Sequence, residues 1–547
     1  MGSAKAHYDG IVAFSQTDFT DDLKGATIPV LVMHGDDDQI VPYENAGVLS
    51  AKLARNSTLK IYKGFLTACP PPKRTRSTPT SWPSSKARRA LRLGWLRPPK
   101  PFSGIALRSL SNGLTLKLTL KLKLCPRIQE DFLVNVFDTL TLPNGSTIPN
   151  RIAKAAMEEN MADADQAPSE RLMRLYQAWA DGGTGLLITG NVMVDGRAMT
   201  GPAGVVLENA DHLDQFKRWA QISRSKGAQA WLQINHPGRQ MQADLGQPTW
   251  APSAVPLELG KMSNRFNTPR AMTQAMIEEV IQRFAHTARL AEAAAFTGVE
   301  IHAAHGYLLS QFLSPLTNRR TDQWGGSLEN RARLLIEIVQ AVRQAVAPSF
   351  AVTVKLNSAD FQRGGFSADD AKEVVKRLNG LAVDLVEISG GSYEAPAMQG
   401  QARDGRTLDR EAYFLEFARD IQTVAKMPVM VTGGIRRRQV AERVIQSGVD
   451  MVGIGTALAI DPHLPAKWRM GVDSAPQLQP ITWKNKPLAS LANMAAVRYQ
   501  MRQVGNGKAT NANVSPLRAL VEQQTAALWR TRQYRRWITR RSDQAVR

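Results

Sequence analysis

The chain has 547 residues, 43% of them hydrophobic and 21% charged, with 69 Lys and Arg against 48 Asp and Glu for a formal net charge of +21. That length and apolar content suit one large domain with additions, or several ordinary ones. Cys69 and Cys125 are the two cysteines, which excludes a disulfide framework and a four-thiolate iron–sulfur cluster.

No apolar run approaches the ~18 residues of a membrane span, and MGSAKAHYDG at the N-terminus lacks a signal-peptide core. A cytoplasmic protein with no membrane partner is the expectation. The positive charge is uneven: residues 1–64 carry 6 basic and 8 acidic residues, whereas 65–128 carry 14 basic and none acidic. Most of the excess therefore sits outside the remaining chain, and it says little about what that remainder binds.

Residues 1–65 contain a buried-strand pattern, PVLVM at 29–33, followed by HGDDDQIVP at 34–42 and an amphipathic stretch at 44–53. This resembles the late part of an α/β-hydrolase of the non-haem chloroperoxidase and arylesterase kind. The resemblance implies that Asp38 stands where the family's triad acid falls. The pattern stops after Phe65 with no following His-Gly, and no G-x-S-x-G precedes it. An acid without base or nucleophile performs no acyl transfer, so a truncated, inactive fragment is expected. Residues 66–128 are Pro-, Ser- and Arg-rich, a composition that buries too little to fold. Within them, LTLKLTLKLKL at 114–124 alternates with a period of two, as an exposed strand would. An unselected junction and a nucleic-acid or acidic-membrane tether are the two readings of this linker, and the first is favoured.

From residue 129 the texture changes. A hairpin signal at 139–148 turns on Asn144-Gly145. Strand-like runs then follow at 151–157, 185–194, 229–236, 298–303, 351–357, 385–390, 428–432 and 451–455. Helical patterns lie between them at 169–181, 210–226, 273–296, 327–346, 368–379, 410–425 and 437–447. Strands alternating with helices in this way predict a (β/α)₈ TIM barrel over 129–475, capped by the N-terminal hairpin. A helical extension fills 476–547, with an Arg-rich amphipathic helix near 525–541.

Barrels of this kind carry their chemistry at the C-terminal ends of the strands. There the sequence places Ala155-Ala156-Met157-Glu158, Gly190-Asn191, Gln233 within QINHPGR, Lys355, Gly433-Gly434 and Gly455-Thr456. The glycines after strands seven and eight let backbone N–H groups approach an anion. Alternation around Lys355 points its ammonium into the barrel, where it needs either Glu300 or Glu387 as counter-charge or an electron-rich cofactor above it. The richest stretch is VEIHAAHGYLLSQFLSP at 299–315, which sets His302, His305 and Tyr307 where a strand becomes a loop. Two imidazole donors and a phenol can hold a carbonyl oxygen and protonate the neighbouring carbon. A satisfied histidine pair is the bland alternative. A metal site is not expected, because no third His or Cys stands at ligand spacing.

The motifs NRIAKAAM, QINHPGRQ, GVEIHAAHGYLLSQFLSPLTNRRTDQWGGSLENRARL, MVTGGI and GVDMVGIGTALAIDP resemble the Old Yellow Enzyme family of FMN-dependent ene-reductases over about 130–475. The branch they suggest is the NADH:flavin oxidoreductase and 2,4-dienoyl-CoA reductase-like one, in a short form lacking the cluster and second nucleotide domain. The resemblance implies FMN as cofactor, NADH or NADPH as hydride donor, and an enone-type or nitroalkene small molecule as substrate. It implies that Ala155, Ala156, Met157 and Glu158 line the flavin edge and that Asn191 touches the ring. Gln233 and Lys355 would bind the pyrimidine end, and Gly433, Gly434, Gly455 and Thr456 the phosphate. His302 and His305 would hold the substrate oxygen while Tyr307 supplies the proton. Two departures stand out. Thr456 stands where the family usually has Arg, so one phosphate contact is missing or is supplied by Arg436, Arg437 or Arg438, and Glu158 brings a carboxylate near N5. A C-terminal arginine completes a neighbouring subunit's site in some relatives, so a homo-oligomer stays open. The rivals are a different FMN barrel oxidoreductase and an adaptor acting through the basic linker.

Overall fold

In the computed structural model the described residues are 30–35, 51–52, 57–62, 134–397 and 411–546. Asp38 and its neighbours, the linker 66–128 and the alternating run 114–124 lie outside them. The chain divides into two compact units, residues 1–118 and 119–547. In the first, Val30–Gly35 pairs in parallel with Ser57–Tyr62, an arrangement that covers the strand expected at 29–33.

The second unit is built on a closed barrel. Among the described residues its eight strands are β1 (Ile152–Lys154), β2 (Leu186–Ile188), β3 (Gln229–Asn235), β4 (Gly298–Ala303), β5 (Ala351–Asn357), β6 (Leu385–Ser389), β7 (Val429–Thr432) and β8 (Met451–Ile454). Each pairs in parallel with the next, β8 pairs with β1, and the ring closes. This is a (β/α)₈ TIM barrel. The intervening helices are α1 (Glu170–Asp181), α2 (Leu213–Arg224), α3 (Gln274–Ala293), α4 (Leu328–Ala345), α5 (Ala368–Leu378), α6 (Leu415–Gln422) and α7 (Arg438–Gln446). Ser169, Thr273, Ser327 and Ser367 each accept a first-turn N–H of the helix they precede. A cap of this type contributes about 1 kcal/mol.

Strand alternation separates two environments. Val299, Ile301, Val352, Val354, Val386 and Ile388 face the helices in the main core. Inside the ring, Ala153, Leu186, Ile188, Trp231, Ala351, Leu385, Met430 and Met451 form an apolar plug. The antiparallel hairpin Leu140–Thr141/Thr147–Ile148 closes the plug from below with Leu140, Leu142 and Ile148. Because side chains alternate with period two, the next inward positions are Gln233, Glu300, Thr353, Glu387 and Thr432. Above them come Asn235, His302, Lys355 and Ser389. The barrel is therefore apolar at its floor and polar toward its mouth, and this gradient positions the site.

Two long helices complete the unit, α8 (Lys486–Gly505) and α9 (Pro516–Val546). The second is much longer than the stretch expected at 525–541. Its Tyr534, Trp537 and Ile538 pack on Met193, Met199, Met241 and Leu245 of the loops above the barrel, so the C-terminal extension covers the catalytic end. Among the described residues no helix is long and apolar enough to cross a membrane.

Candidate active site

The loop after β1 is anchored from behind. Lys154 turns outward and donates to Glu159 Oε1 at 3.0 Å, to the Tyr176 oxygen at 3.0 Å and to the Ile188 carbonyl at 2.7 Å. Tyr176 in turn donates to Glu159 Oε1 at 2.7 Å. These bonds end the strand at residue 154, short of the 157 expected, and hold Ala155, Ala156, Met157 and Glu158 across the mouth. The Glu158 carboxylate accepts from Thr200 Oγ1 and from Arg498 of α8. Its negative charge thus arrives with a guanidinium attached.

Lys355 donates to Glu387 Oε1 at 2.5 Å, and Gln233 Nε2 donates to Glu300 Oε2 at 2.6 Å. Glu387 is thus the counter-ion of Lys355 within the barrel. Burial, then the Glu387 charge, pushes the Glu300 carboxyl well above the usual range. Burial, its largest influence, acts on Glu387 in the same sense, but the Lys355 charge and the hydrogen bonds from Glu300, Lys355 and Thr432 together hold that carboxyl below its usual value. The layer thus pairs Lys355 with Glu387 and sets Glu300, the acid whose proton is held more firmly, beside Gln233.

His302, His305 and Tyr307 converge. The His302 ring stands 5.1 Å from that of His305 and 5.0 Å from that of Tyr307, edge-on to both. His302 Nδ1 accepts the Ala304 N–H at 3.3 Å, which leaves Nε2 as the protonated donor. His305 holds a positive φ of 61°, a left-handed conformation that costs a non-glycine residue about 1–2 kcal/mol. It is fixed there by Asn357 Oδ1, which accepts its N–H at 3.0 Å, and by Ser389 Oγ at 2.8 Å from Nε2. Burial, then His305 and Lys355, lowers the His302 pKa well below the usual range; burial, then Lys355, does the same for His305. Both rings are neutral. The Tyr307 hydroxyl accepts from Asn191 Nδ2 at 3.4 Å and lies 3.2 Å from the Tyr393 hydroxyl. Burial, then Tyr393 and Glu158, raises its pKa well above that of a free phenol.

At the far side of the mouth, Gly434 adopts φ +69°, and a Cβ there would stand 2.4 Å from the Tyr413 ring. At Gly453 a Cβ would meet Thr432 Oγ1 at 1.9 Å. At both positions the missing side chain makes room for a neighbour, Tyr413 at Gly434 and Thr432 at Gly453. Thr456 begins the short helix Thr456–Ile460. The arginines weighed as substitutes for the absent family Arg are engaged elsewhere: Arg437 with Glu411 at 2.6 Å, Arg436 with the same carboxylate at 3.5 Å, and Arg438 with Glu442 at 2.6 Å.

These residues fit FMN on one count: buried polar atoms at the mouth lack hydrogen-bond partners among the described residues, namely Asn191 Oδ1 and both amide atoms of Asn235. Buried polar groups ordinarily have partners. Asn235 was missed in the sequence, although it follows Gln233 on the inward face of β3. Beside the Tyr307–Tyr393 pair opens a cavity of about 870 Å³ whose lining includes Glu158, Phe266, Tyr393 and Arg498. Tyr393, Tyr413 and the α8 and α9 residues of this cavity carried no local signal in the sequence.

The NADH:flavin oxidoreductase / NADH oxidase family model matches residues 135–474, more than half of the chain. The chain belongs to this family. It is an NAD(P)H:flavin oxidoreductase, with FMN as cofactor, and the motifs that resembled Old Yellow Enzyme relatives fall within the matched stretch. The NADH-dependent flavin oxidoreductase iliE of Hypocrea jecorina (strain QM6a) is 38% identical over 348 residues, 60% of this chain and 86% of that protein. Its namesake from Neonectria sp. (strain DH2) is also 38% identical, over 351 residues, but this chain spans only 46% of its length. A solved 2-naphthoyl-CoA reductase in complex with 2-naphthoyl-CoA superposes with a TM-score of 0.57 at 29% identity, over 62% of this chain and 52% of that one.

Proposed function

We propose that the enzyme reduces the C=C bond of α,β-unsaturated carbonyl or nitro compounds. The observation that carries this is a neutral imidazole N–H, on His302, set beside a phenol that stays protonated, on Tyr307. An N–H donor stabilises charge developing on the substrate oxygen, and in a water-poor site one such donor is worth about 10²–10³ in rate. His305 gives the second donor, its ring oriented by Ser389. Tyr307 holds the proton for the α-carbon as general acid, and Asn191 and Tyr393 keep its hydroxyl in place.

Ala155, Ala156, Met157, Glu158 and Asn191 would hold the flavin edge, Gln233 and Lys355 its pyrimidine end, and Gly433, Gly434, Gly455 and Thr456 its phosphate. When bound, FMN supplies a hydride acquired from NADH or NADPH to the β-carbon. Residues 1–65 and 66–128 have no part in this chemistry, and the enzyme works in the cytoplasm on small molecules. The test is anaerobic turnover of cyclohexenone by purified protein with NADH or NADPH. Formation of cyclohexanone is expected. Oxidation of the nicotinamide by oxygen alone, with the enone untouched, would overturn the substrate assignment.

A further inference from the structure

The cavity beside Tyr393 has a lopsided wall. Leu259, Met262, Phe266 and Leu491 make part of it apolar, but α8 and α9 contribute Arg498, Arg502 and Arg530. Arg498 is satisfied by the carboxylate and the carbonyl of Glu158. Arg502 is not: its buried Nη2 has no hydrogen-bond partner among the described residues. The carboxylate within reach is Glu522 at 4.0 Å, and Arg518 already holds it at 2.8 Å. The Arg530 side chain makes no hydrogen bond or ion pair among the described residues. Burial, then the charges of Arg502, Arg171 and Arg498, brings its pKa down to about 10.

The acidic residues of the lining do not redress this. Glu394 is bound by Arg239 at 2.5 Å and by the Glu258 N–H at 2.8 Å, and Asp244 and Glu258 stand on the exposed rim. Clustered, half-buried guanidinium groups repel one another and lose hydration, a cost the fold would shed unless a counter-ion arrives. Planar guanidinium forks suit carboxylate and phosphate oxygens.

We propose that Arg502 and Arg530 form a binding site for an anionic group, a carboxylate or phosphate, carried by a molecule that comes to the barrel mouth to react. The carrier depends on the function proposed above: either the unsaturated substrate bears a carboxylate, or the pyrophosphate of the nicotinamide donor docks here. Both would share one entrance, since the cavity borders Tyr393 and hence Tyr307.

The site is tested first with inorganic pyrophosphate, titrated calorimetrically into the purified full-length holoenzyme. Arg502→Gln and Arg530→Gln should each weaken binding about 10–100-fold, whereas Arg419→Gln, at an exposed position on α6, should not. Relief of repulsion predicts that unliganded Arg530→Gln melts no lower than the parent. A lower melting point in Arg530→Gln together with unchanged pyrophosphate affinity would make the arginine structural and overturn the site. Arg530→Lys keeps the charge and should retain binding within about tenfold.

Two kinetic arms identify the carrier. A rise in KM for 4-oxopent-2-enoate but not its methyl ester assigns the anion to the substrate. A rise for NADH or NADPH but not for 1-benzyl-1,4-dihydronicotinamide assigns it to the donor. If neither arm responds to either variant, the inference fails. Pyrophosphate binding that depends on both arginines in an enzyme inert to enones would leave the anion site standing and remove the proposed activity instead.

Discussion

Replacing Tyr307 with Phe removes one oxygen from a buried position and should separate the two halves of the catalytic cycle. The lost hydrogen bonds, to Asn191 at 3.4 Å and Tyr393 at 3.2 Å, are long and contribute at most about 1 kcal/mol each, so the fold should survive. Loss of a general acid ordinarily costs 10²–10⁴ in rate. Here the Tyr393 hydroxyl stands next to the vacated position and itself lines the open cavity. Tyr393 or water can therefore deliver a proton less well, and the expected loss lies near the lower end, about 10². Adding Tyr393→Phe should remove a further factor of about ten. Anaerobic stopped-flow absorbance reads the steps apart: bleaching of the flavin by NADPH should be unchanged, and its recovery with cyclohexenone slowed. Because burial raises the Tyr307 pKa, recovery in the parent should show no alkaline fall through the ordinary phenol range. Equal slowing of both steps, or of neither, would refute the assignment.

Stability should depend on pH through His236, which burial, its largest influence, holds at about 4 in the folded state against an ordinary 6.5. The unfolded chain then binds the proton first, so stability is full above about 6.5 and falls by up to ~3 kcal/mol as pH drops toward 4. His236→Gln should flatten that slope in urea unfolding, and an unchanged slope would exclude His236 as its source. Glu387→Gln leaves the buried Lys355 ammonium without its counter-charge and should cost about 3–5 kcal/mol in the flavin-free protein. A loss below 1 kcal/mol would mean that Glu300 takes over as the anion. Gly434→Ala places a methyl group against Tyr413 at a left-handed position and should raise the FMN dissociation constant at least tenfold by fluorescence titration; unchanged affinity would move the phosphate elsewhere. Removing residues 1–128 should leave FMN content and enone turnover as they are, and a loss of either would give the N-terminal segments a role.

Much of the barrel was legible because its strands satisfy two local rules at once. The runs at 298–303 and 351–357 are the observed strands residue for residue, since each is apolar on its outer face and ends in a loop residue. The pattern at 185–194 predicts one strand, whereas the chain forms Leu186–Ile188 followed by Val192–Met193. Thr189, Gly190 and Asn191 break the ladder there and turn Asn191 toward Tyr307. Parity along the strands identified Lys355 as inward. Which carboxylate it meets depends on register, and the pairing of Lys355 with Glu387 across β5 and β6 settles it. Which of two buried acids keeps its proton is a property of the whole layer. Tyr393, Arg498, Arg502 and Arg530 were invisible for a related reason: helices that begin more than ninety residues later bring three of them to the mouth, and no local pattern encodes that meeting.

FMN binding at the barrel mouth is tested most directly by the visible spectrum of the purified full-length protein, recorded with added FMN after removal of the excess. A yellow protein is predicted, bleached anaerobically by NADH or NADPH and coloured again by cyclohexenone. A colourless protein that retains no FMN would contradict a flavin site at the barrel mouth.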